Sequence, residues 1–267
     1  MTGVTGGQAV QLPNVSDCLG RFFLSNSGMT PTEFDGQLNS VERGLLRDSI
    51  LKAPKKPQVV VEVGTWLGGG STITFLRALH ENGTGHLWGV EADRSVYDLM
   101  MENITTLAPE VIGCFTPLFG FSDQVLPLWI AEQKEPLQID VAFLDGGNNP
   151  AEQIAEFNIL DPHLPIGGQL FGHDAKLRKG KWLIPYLSRL DNWEVQVHDI
   201  SSQGLMAARK IAAQPSPASL REAKAHLFRM RCEPMEIASR VLPSGLKNFV
   251  FSLMPRRLAL RIAGGQK

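Results

Sequence analysis

The chain has 267 residues, of which 43% are hydrophobic, and a formal net charge of -1 at pH 7. That length allows one α/β domain with a full core and terminal additions. The three cysteines, Cys18, Cys114 and Cys232, are odd in number and far apart, so we expect neither a disulfide framework nor a CxxC metal site. A reducing, cytoplasmic location fits this pattern. No signal peptide is expected, and no apolar run has membrane-spanning length.

The charges are unevenly distributed along the chain. Residues 209–267 hold 12 Lys and Arg against 3 Asp and Glu, whereas residues 1–208 hold 14 against 24. An acidic body therefore carries a basic C-terminal tail. This distribution argues against nucleic acid binding by the main domain.

The N-terminal part predicts a helical addition. Thr30 and Pro31 have the form of a helix start, with Pro at the first helical position. Apolar residues recur at helical spacing after Leu38, so a helix is expected from about residue 40 to 52. Residues 1–57 are therefore predicted to be an N-terminal helical cap segment.

The stretch from Gln58 to Phe75 has the pattern of a strand, a glycine loop and a helix start. Its β-branched valines suit a strand buried on both faces. Four glycines break the strand, and Ser71 or Thr72 can cap the helix that follows. Because glycines let backbone amides approach a ligand closely, this is the local architecture of a nucleotide site.

An acidic residue within this stretch narrows the choice of ligand. Glu62 lies at the strand end, where it would repel a phosphate and favour a cationic ligand. Neither G-x-G-x-x-G nor G-x-x-x-x-G-K-[ST] is present, which weakens the dinucleotide and nucleoside triphosphate interpretations. An ordinary glycine-rich turn without a ligand is the alternative.

Two further strands supply candidate site residues. The second strand, over residues 86–90, ends at Glu91, whose carboxylate could accept hydrogen bonds from both ribose hydroxyls or could simply be a surface charge. A third strand is expected over residues 111–118. Ser122 or Asp123 would then cap the next helix.

The fourth and fifth strands also end in acidic residues. Asp145 follows the fourth strand, and His173 and Asp174 end the fifth. The carboxyl ends of strands in open α/β sheets face the crevice where ligands bind. Residues 193–198 and 205–211 are expected to close the sheet as an antiparallel pair.

These elements predict an α/β, doubly wound, Rossmann-like domain over residues 58–211. Its sheet would have seven strands, mostly parallel, with a terminal antiparallel hairpin. Residues 212–267 would form a basic helical C-terminal extension after a Pro-Ser-Pro linker. The extension could lie on an anionic membrane or contact an acidic partner surface. The simpler alternative is a helix packed on the subunit or on the mate in a homodimer.

Five segments, in this order, resemble the class I S-adenosylmethionine-dependent methyltransferases. VEVGTWLGGGS resembles the cofactor loop of these enzymes, GVEAD their ribose strand and GFSDQVLP their adenine loop. IDVAFLDGGNNPAEQ and LPIGGQLFGHD resemble the two segments that supply metal and catalytic residues. The resemblance is closest to small-molecule O-methyltransferases of the catechol type and their sugar- and macrolide-modifying relatives.

The resemblance implies a set of site residues. The residues that would bind S-adenosylmethionine are Glu62, Gly64, Thr65, Gly69, Ser71, Glu91, Ser122, Asp123 and Asp145. The catalytic residues would be Asp145, His173 and Asp174, with His173 as the general base for the acceptor hydroxyl. Asp145 and Asp174 would also be the metal ligands, and Mg²⁺ is the candidate ion.

Two positions depart from the family pattern. Asn148 stands where relatives tend to have a catalytic Lys or His, and an amide cannot take a proton at neutral pH. Ala175 stands where catechol enzymes have an Asn ligand. The metal site is therefore short of one ligand unless His173, Asn148 or Asn149 substitutes.

The geometry of the fifth strand raises a further question. Adjacent residues of a strand point to opposite faces, so His173 and Asp174 can enter the same crevice only if the strand has already ended. Gly172 is a place where it could end early.

The predicted function is that of an S-adenosylmethionine-dependent methyltransferase. It would methylate a hydroxyl of a small molecule of the sugar or secondary-metabolite type. Asn148 and Ala175 leave open a catalytically degenerate protein that only binds the cofactor. A nicotinamide-dependent dehydrogenase is a further alternative, for which the glycine fingerprint is wrong.

Overall fold

The computed structural model describes residues 36–133, 136–233 and 236. One sheet of seven strands runs through the domain in the order β3-β2-β1-β4-β5-β7-β6. The strands are β1 (Val59–Val63), β2 (His86–Glu91), β3 (Phe115–Phe119), β4 (Val141–Leu144), β5 (Gln169–His173), β6 (Trp193–His198) and β7 (Leu205–Lys210). The helices are α1 (Ser40–Leu51), α2 (Ser71–Asn82), α3 (Arg94–Leu107), α4 (Ser122–Ala131), α5 (Pro150–Leu160), α6 (Gly180–Leu187) and α7 (Pro217–Arg231).

The pairing of the strands confirms the predicted fold class. β1 to β5 all run parallel to one another, and β7 runs antiparallel to both β5 and β6. Helices connect the parallel strands because such strands need a crossover connection. β4 is buried along its whole length and β1 nearly so, as expected for central strands covered on both faces. The molecule is therefore an α/β, Rossmann-like fold with a terminal hairpin.

The third strand begins later than the sequence indicated. A 3₁₀ helix covers Pro109–Cys114, and β3 starts at Phe115. Pro109 suits the first turn of such a helix, and Val111 is buried from this position without belonging to the sheet. Pro117 is tolerated within β3 because this strand lies at the edge of the sheet.

Helix α1 matches the helix expected from about residue 40 to 52. Asn39 accepts hydrogen bonds from the backbone of Val41 and Glu42, and the Glu42 side chain accepts one in return from the Asn39 backbone. This capping box satisfies backbone donors that a helix end leaves free. The helix start predicted at Thr30 and Pro31 lies outside the described residues.

Helix α7 packs against α6, with Ala223 and Met230 buried. The first part of the C-terminal extension is therefore a helix packed on the domain. Residues 237–267 lie outside the described part, and the boundaries predicted at 57 and 211 stay predictions. Among the described residues, no helix combines the length and the apolar character needed to cross a membrane.

Candidate active site

A cleft of about 900 Å³ opens at the carboxyl ends of the parallel strands. It lies at the point where the strand order reverses between β1 and β4, which is where open α/β sheets bind ligands. Its volume is in the range of small-molecule and cofactor sites. Residues from the loops after five strands line it, among them Gly64, Thr65, Ser71, Glu91, Ser122, Asp123, Asp145, Asn148, Asp174 and Lys179.

Gly64 brings two of these loops together. Its φ is +88°, a conformation that side-chain-bearing residues rarely adopt. A Cβ added there would lie 2.5 Å from the carbonyl oxygen of Asp145. The glycine therefore lets the end of β1 pass directly beside the end of β4, on the floor of the cleft.

The Glu91 carboxylate is held in place by three backbone amides. Its Oε1 accepts hydrogen bonds from Ala92 (2.9 Å) and Asp93 (3.0 Å), and its Oε2 accepts one from Trp66 (3.1 Å). Each carboxylate oxygen can accept about two hydrogen bonds, so Oε2 retains capacity for a ligand hydroxyl. Glu91 is thus an oriented, half-buried acceptor on the cleft wall.

Glu62 and Gly69 do not line the cleft. Glu62 is fully buried beneath the glycine loop, and within the described part of the chain neither of its carboxylate oxygens has a hydrogen-bond partner. Burial raises its pKa to about 8, and the nearby hydroxyls of Ser71 and Thr72 offset only part of that effect. Gly69 packs against Gly36, where an added Cβ would lie 2.5 Å from the Gly69 carbonyl oxygen. Any influence of these two residues on a ligand would therefore be indirect.

The loop after β3 contributes Ser122 and Asp123, but neither caps α4. The N-cap position is Phe121, without a side-chain hydrogen bond, so the predicted capping role is corrected. The Ser122 hydroxyl instead donates to Glu156 Oε1 at 2.7 Å, while Asp123 is exposed on the cleft wall. The pair with Ser122 is formed because Glu156, on α5, projects into the same cleft.

Glu156 is a site residue that the sequence analysis missed. It is only 4% exposed, and burial raises its pKa above the ordinary value despite the hydrogen bond from Ser122. Glu152, one helical turn earlier, lines the same wall. The i, i+4 spacing of these two acids on the helix after Asp145 was the signal available in the sequence.

Lys179 also escaped the sequence analysis, although it lies at the centre of the acidic cluster. Its Nζ is 2.6 Å from Asp145 Oδ1 and 3.1 Å from Asp174 Oδ2. The residue is 3% exposed. Burial alone would lower the pKa of Lys179, but the charges of Asp145 and Asp174 outweigh burial and raise it above its ordinary value. Lys179 is therefore a charged ammonium between two carboxylates.

The last residue of β5, His173, lies next to the same two carboxylates. Its Nδ1 lies 3.3 Å from Asp145 Oδ2 and 3.6 Å from Asp174 Oδ1, and its Nε2 lies 3.9 Å from Glu42 Oε1. These are charge contacts rather than aligned hydrogen bonds, since neither ring nitrogen has a hydrogen-bond partner among the described residues.

The surroundings of His173 weigh against its predicted role as general base. Burial opposes the charged ring, but contact with Asp145 and the surrounding carboxylates outweighs it, so the pKa is raised above the ordinary value. A raised pKa increases the share of the charged ring, in which neither nitrogen is free to accept a proton. The side chain is also 1% exposed and does not line the cleft.

The backbone answers the geometric question posed by this pair. β5 continues through His173, so Gly172 does not end the strand. Asp174 follows in a left-handed conformation with φ +57°, which departs from the alternation of a strand. His173 thus stays beneath the sheet end while Asp174 reaches the cleft.

A divalent ion fits this cluster poorly. Asp145, His173 and Asp174 each offer one ligand atom, all within 4.8 Å of one another. The ammonium of Lys179 already contacts both carboxylates, and the methyl side chain of Ala175 offers no ligand. Asn149 is engaged as the N-cap of α5, where it accepts from the Ala151 backbone. The prediction of Mg²⁺ at this site stays untested.

Comparisons with known proteins identify the domain. The family model of a methyltransferase domain matches residues 61–175. No match was found among curated proteins. The fold resembles that of an O-methyltransferase from Bacillus cereus in complex with SAH, with a TM-score of 0.50 and 18% identity over 75% of this chain and 94% of that one.

Two other solved structures have the same fold. A methyltransferase from Geobacter sulfurreducens gives a TM-score of 0.51 at 17% identity, covering 76% of this chain and 99% of that one. A provisionally assigned O-methyltransferase from Klebsiella pneumoniae gives 0.55 at 16% identity, covering 74% and 96%. Residues 61–175 therefore form a methyltransferase domain, and the cleft lies at the switch point of its sheet.

Proposed function

We propose that this protein is a class I, S-adenosylmethionine-dependent methyltransferase that transfers a methyl group to a hydroxyl of a small molecule of the sugar or secondary-metabolite type. The observation that carries the proposal is the composition of the cleft. Oriented carboxylates line it at the ends of β2, β4 and β5, and a single charged lysine lies among them in the described part of the chain. Carboxylates accept hydrogen bonds from hydroxyl groups, so a polyhydroxylated acceptor suits such walls better than a phosphorylated one.

The cofactor half of the cleft is formed by the loops after β1, β2 and β3. When bound, S-adenosylmethionine supplies the methyl group on a sulfonium. Glu91 would accept from the ribose hydroxyls, because its Oε2 has capacity left and its position is held by Trp66. Ser122 and Asp123 would lie along the adenine, and the amides near Ser71 at the start of α2 would meet the carboxylate of the methionine moiety.

The acceptor half is formed by the loops after β4 and β5. Methyl transfer is an in-line displacement, so correct positioning of the hydroxyl supplies much of the rate. The hydroxyl must lose its proton as the methyl group arrives. Asp145 and Asp174 face the cleft and can accept that proton, whereas His173 lies behind them. We therefore assign proton acceptance to the carboxylate pair and a supporting contact to His173.

Two measurements test the proposal. Calorimetry with S-adenosylmethionine and its demethylated product should show binding to the purified full chain. Incubation with methyl-labelled cofactor and a panel of sugars, phenols and polyketide-like alcohols should then label at least one hydroxyl compound. Binding without transfer to any compound would favour the catalytically degenerate alternative that Asn148 and Ala175 suggested.

Other parts of the prediction stay proposals. Cys114 and Cys232 are free thiols, which supports a reducing, cytoplasmic location. A homodimer stays a proposal, as does a membrane or subunit contact through the basic tail, of which residues 237–267 lie outside the described part.

A further inference from the structure

Lys179, in the loop between β5 and α6, is more deeply buried than the lysines on either side of it. Lys176 is exposed and pairs with Asp199, and Lys181 pairs with Glu233 at 2.8 Å on the outer surface. Lys179 instead is buried and contacts Asp145 and Asp174. Burying an ammonium is unfavourable unless it is paired, so its position depends on these two carboxylates.

The backbone of the loop fixes Lys179 in this position. The amides of Ala175 and Lys176 donate to the carbonyl oxygens of Gly204 and Gln203, which ties the loop to the β6–β7 hairpin. A Cβ added at Gly180 would lie 2.6 Å from the Ala175 carbonyl oxygen, so the two ends of the loop are in close contact. This tight turn directs the Lys179 side chain back over the carboxylates.

The Lys179 ammonium can partly neutralise the carboxylate pair, which a metal ion would otherwise do. It supplies positive charge to the carboxylate pair, and it needs only hydrogen-bond acceptors, whereas Mg²⁺ requires near-octahedral oxygen ligation. An ammonium has three N–H bonds, and those of Lys179 can donate one hydrogen bond to Asp145 and one to Asp174. The third can donate to an oxygen in the cleft, which Lys179 lines.

We infer that the Lys179 ammonium takes the place of a divalent metal ion at the Asp145–Asp174 pair, so that this methyltransferase orients its acceptor hydroxyl with a lysine. The inference rests on the proposed function, because the acceptor is taken to be a hydroxyl compound. Lys179 would be a positioning residue that hydrogen-bonds the acceptor oxygen and bridges the two carboxylates. The protein would accordingly need no metal ion at this position.

Manganese binding tests the inference directly. Mn²⁺ serves as a paramagnetic probe for Mg²⁺, and its free concentration is read by electron paramagnetic resonance during titration of the full chain. We expect the wild-type chain to show no Mn²⁺ site tighter than about 1 mM, since the lysine competes for both carboxylates. Lys179→Met removes the ammonium at similar length and should tighten Mn²⁺ binding by about tenfold or more. Lys176→Met, from the same loop, should leave it unchanged.

Two results would overturn the inference: a wild-type site for Mn²⁺ with micromolar affinity, or Lys179→Met binding Mn²⁺ no better than Lys176→Met while folded. Folding is checked by thermal unfolding and by binding of the demethylated cofactor. If Lys179→Met does not fold, Lys179→Gln replaces it, and the wild-type titration decides by itself. The proposed function fails separately, through absence of cofactor binding or of methyl transfer. Where transfer is found, EDTA should leave its rate unchanged, and Lys179→Met should raise the KM for the acceptor and lower kcat.

Discussion

Replacing Glu91 with alanine should weaken binding of S-adenosylmethionine without unfolding the protein. The carboxylate is already oriented by the amides of Trp66, Ala92 and Asp93, so the ligand gains a preformed acceptor. A hydrogen bond to a charged group contributes about 1.5–3 kcal/mol. Its loss corresponds to an increase in Kd of about 10- to 150-fold.

A second substitution separates the ligand contact from the structural role. Glu91→Gln keeps one carbonyl oxygen for the amides of Ala92 and Asp93 but lacks the charge. Because neutral hydrogen bonds are about half as strong as charged ones, its affinity should lie between those of wild type and Glu91→Ala. Its unfolding free energy should be nearer to that of the wild type, since Glu91 is half-buried and water can replace part of the lost contacts.

Isothermal calorimetry at pH 7.5 is the assay, with urea unfolding on the same samples. Glu81→Ala is the matched control, because Glu81 is an exposed carboxylate whose ion pair with Arg47 lies outside the cleft. It should bind the cofactor as the wild type does. An unchanged Kd for folded Glu91→Ala would refute the reasoning and remove Glu91 from the cofactor site.

Three further predictions concern stability and the tail. Because burial holds the pKa of Glu62 at about 8, the folded chain keeps a proton that the unfolded chain releases above the ordinary value of 4.5. The free energy of unfolding of the wild type should therefore decrease as the pH rises from 4.5 to about 8. Over this range the stability of Glu62→Gln relative to wild type should rise by about 1.4 kcal/mol per pH unit in urea unfolding. Identical pH profiles for the two proteins would contradict this. Gly64→Ala should lose about 2–4 kcal/mol, because φ is +88° and the added Cβ would meet backbone at 2.5 Å. Gly44→Ala, in α1 with open space around it, should instead gain up to about 1 kcal/mol, and equal effects at the two glycines would count against the steric argument. Deleting residues 240–267 should leave cofactor affinity unchanged but alter the oligomeric state or liposome association, and light scattering and vesicle sedimentation matching the full chain would show the tail to be passive.

Most of the fold could be predicted from local pattern. Valine-rich strands, glycine turns and helical periodicity alternate regularly, and a parallel sheet with crossover helices is the arrangement that buries both faces of such strands. The start of β3 was placed too early, because the apolar residues before Phe115 look the same in a strand and in the 3₁₀ helix that actually holds Val111. Such short apolar runs carry no periodicity that separates the two.

Part of the site followed from the fold itself. Glu91, Asp145 and Asp174 come at or just after strand ends, and the carboxyl ends of parallel strands meet at one edge, so their convergence in the cleft is a consequence of topology. Ser122 lies in the loop after β3, as the sequence indicated, but Glu156, which accepts the hydrogen bond from its hydroxyl, is 34 residues away. Nothing in the local sequence of either residue specifies that pair.

The sequence by itself determined which residues end the strands, because that information is carried by patterns of a few neighbouring residues. Only the tertiary structure decided what Lys179 and His173 do. Lys176 and Lys179 lie in the same loop and are chemically identical, yet Lys179 is buried between Asp145 and Asp174 while Lys176 pairs with Asp199 at the surface. His173 looks like a catalytic base in sequence, but it is buried outside the cleft, and the neighbouring carboxylates raise its pKa although burial opposes the charged form. Burial and ion pairing depend on partners distant in the chain, so the charge and role of these groups are set when the sheet brings β4 and β5 together.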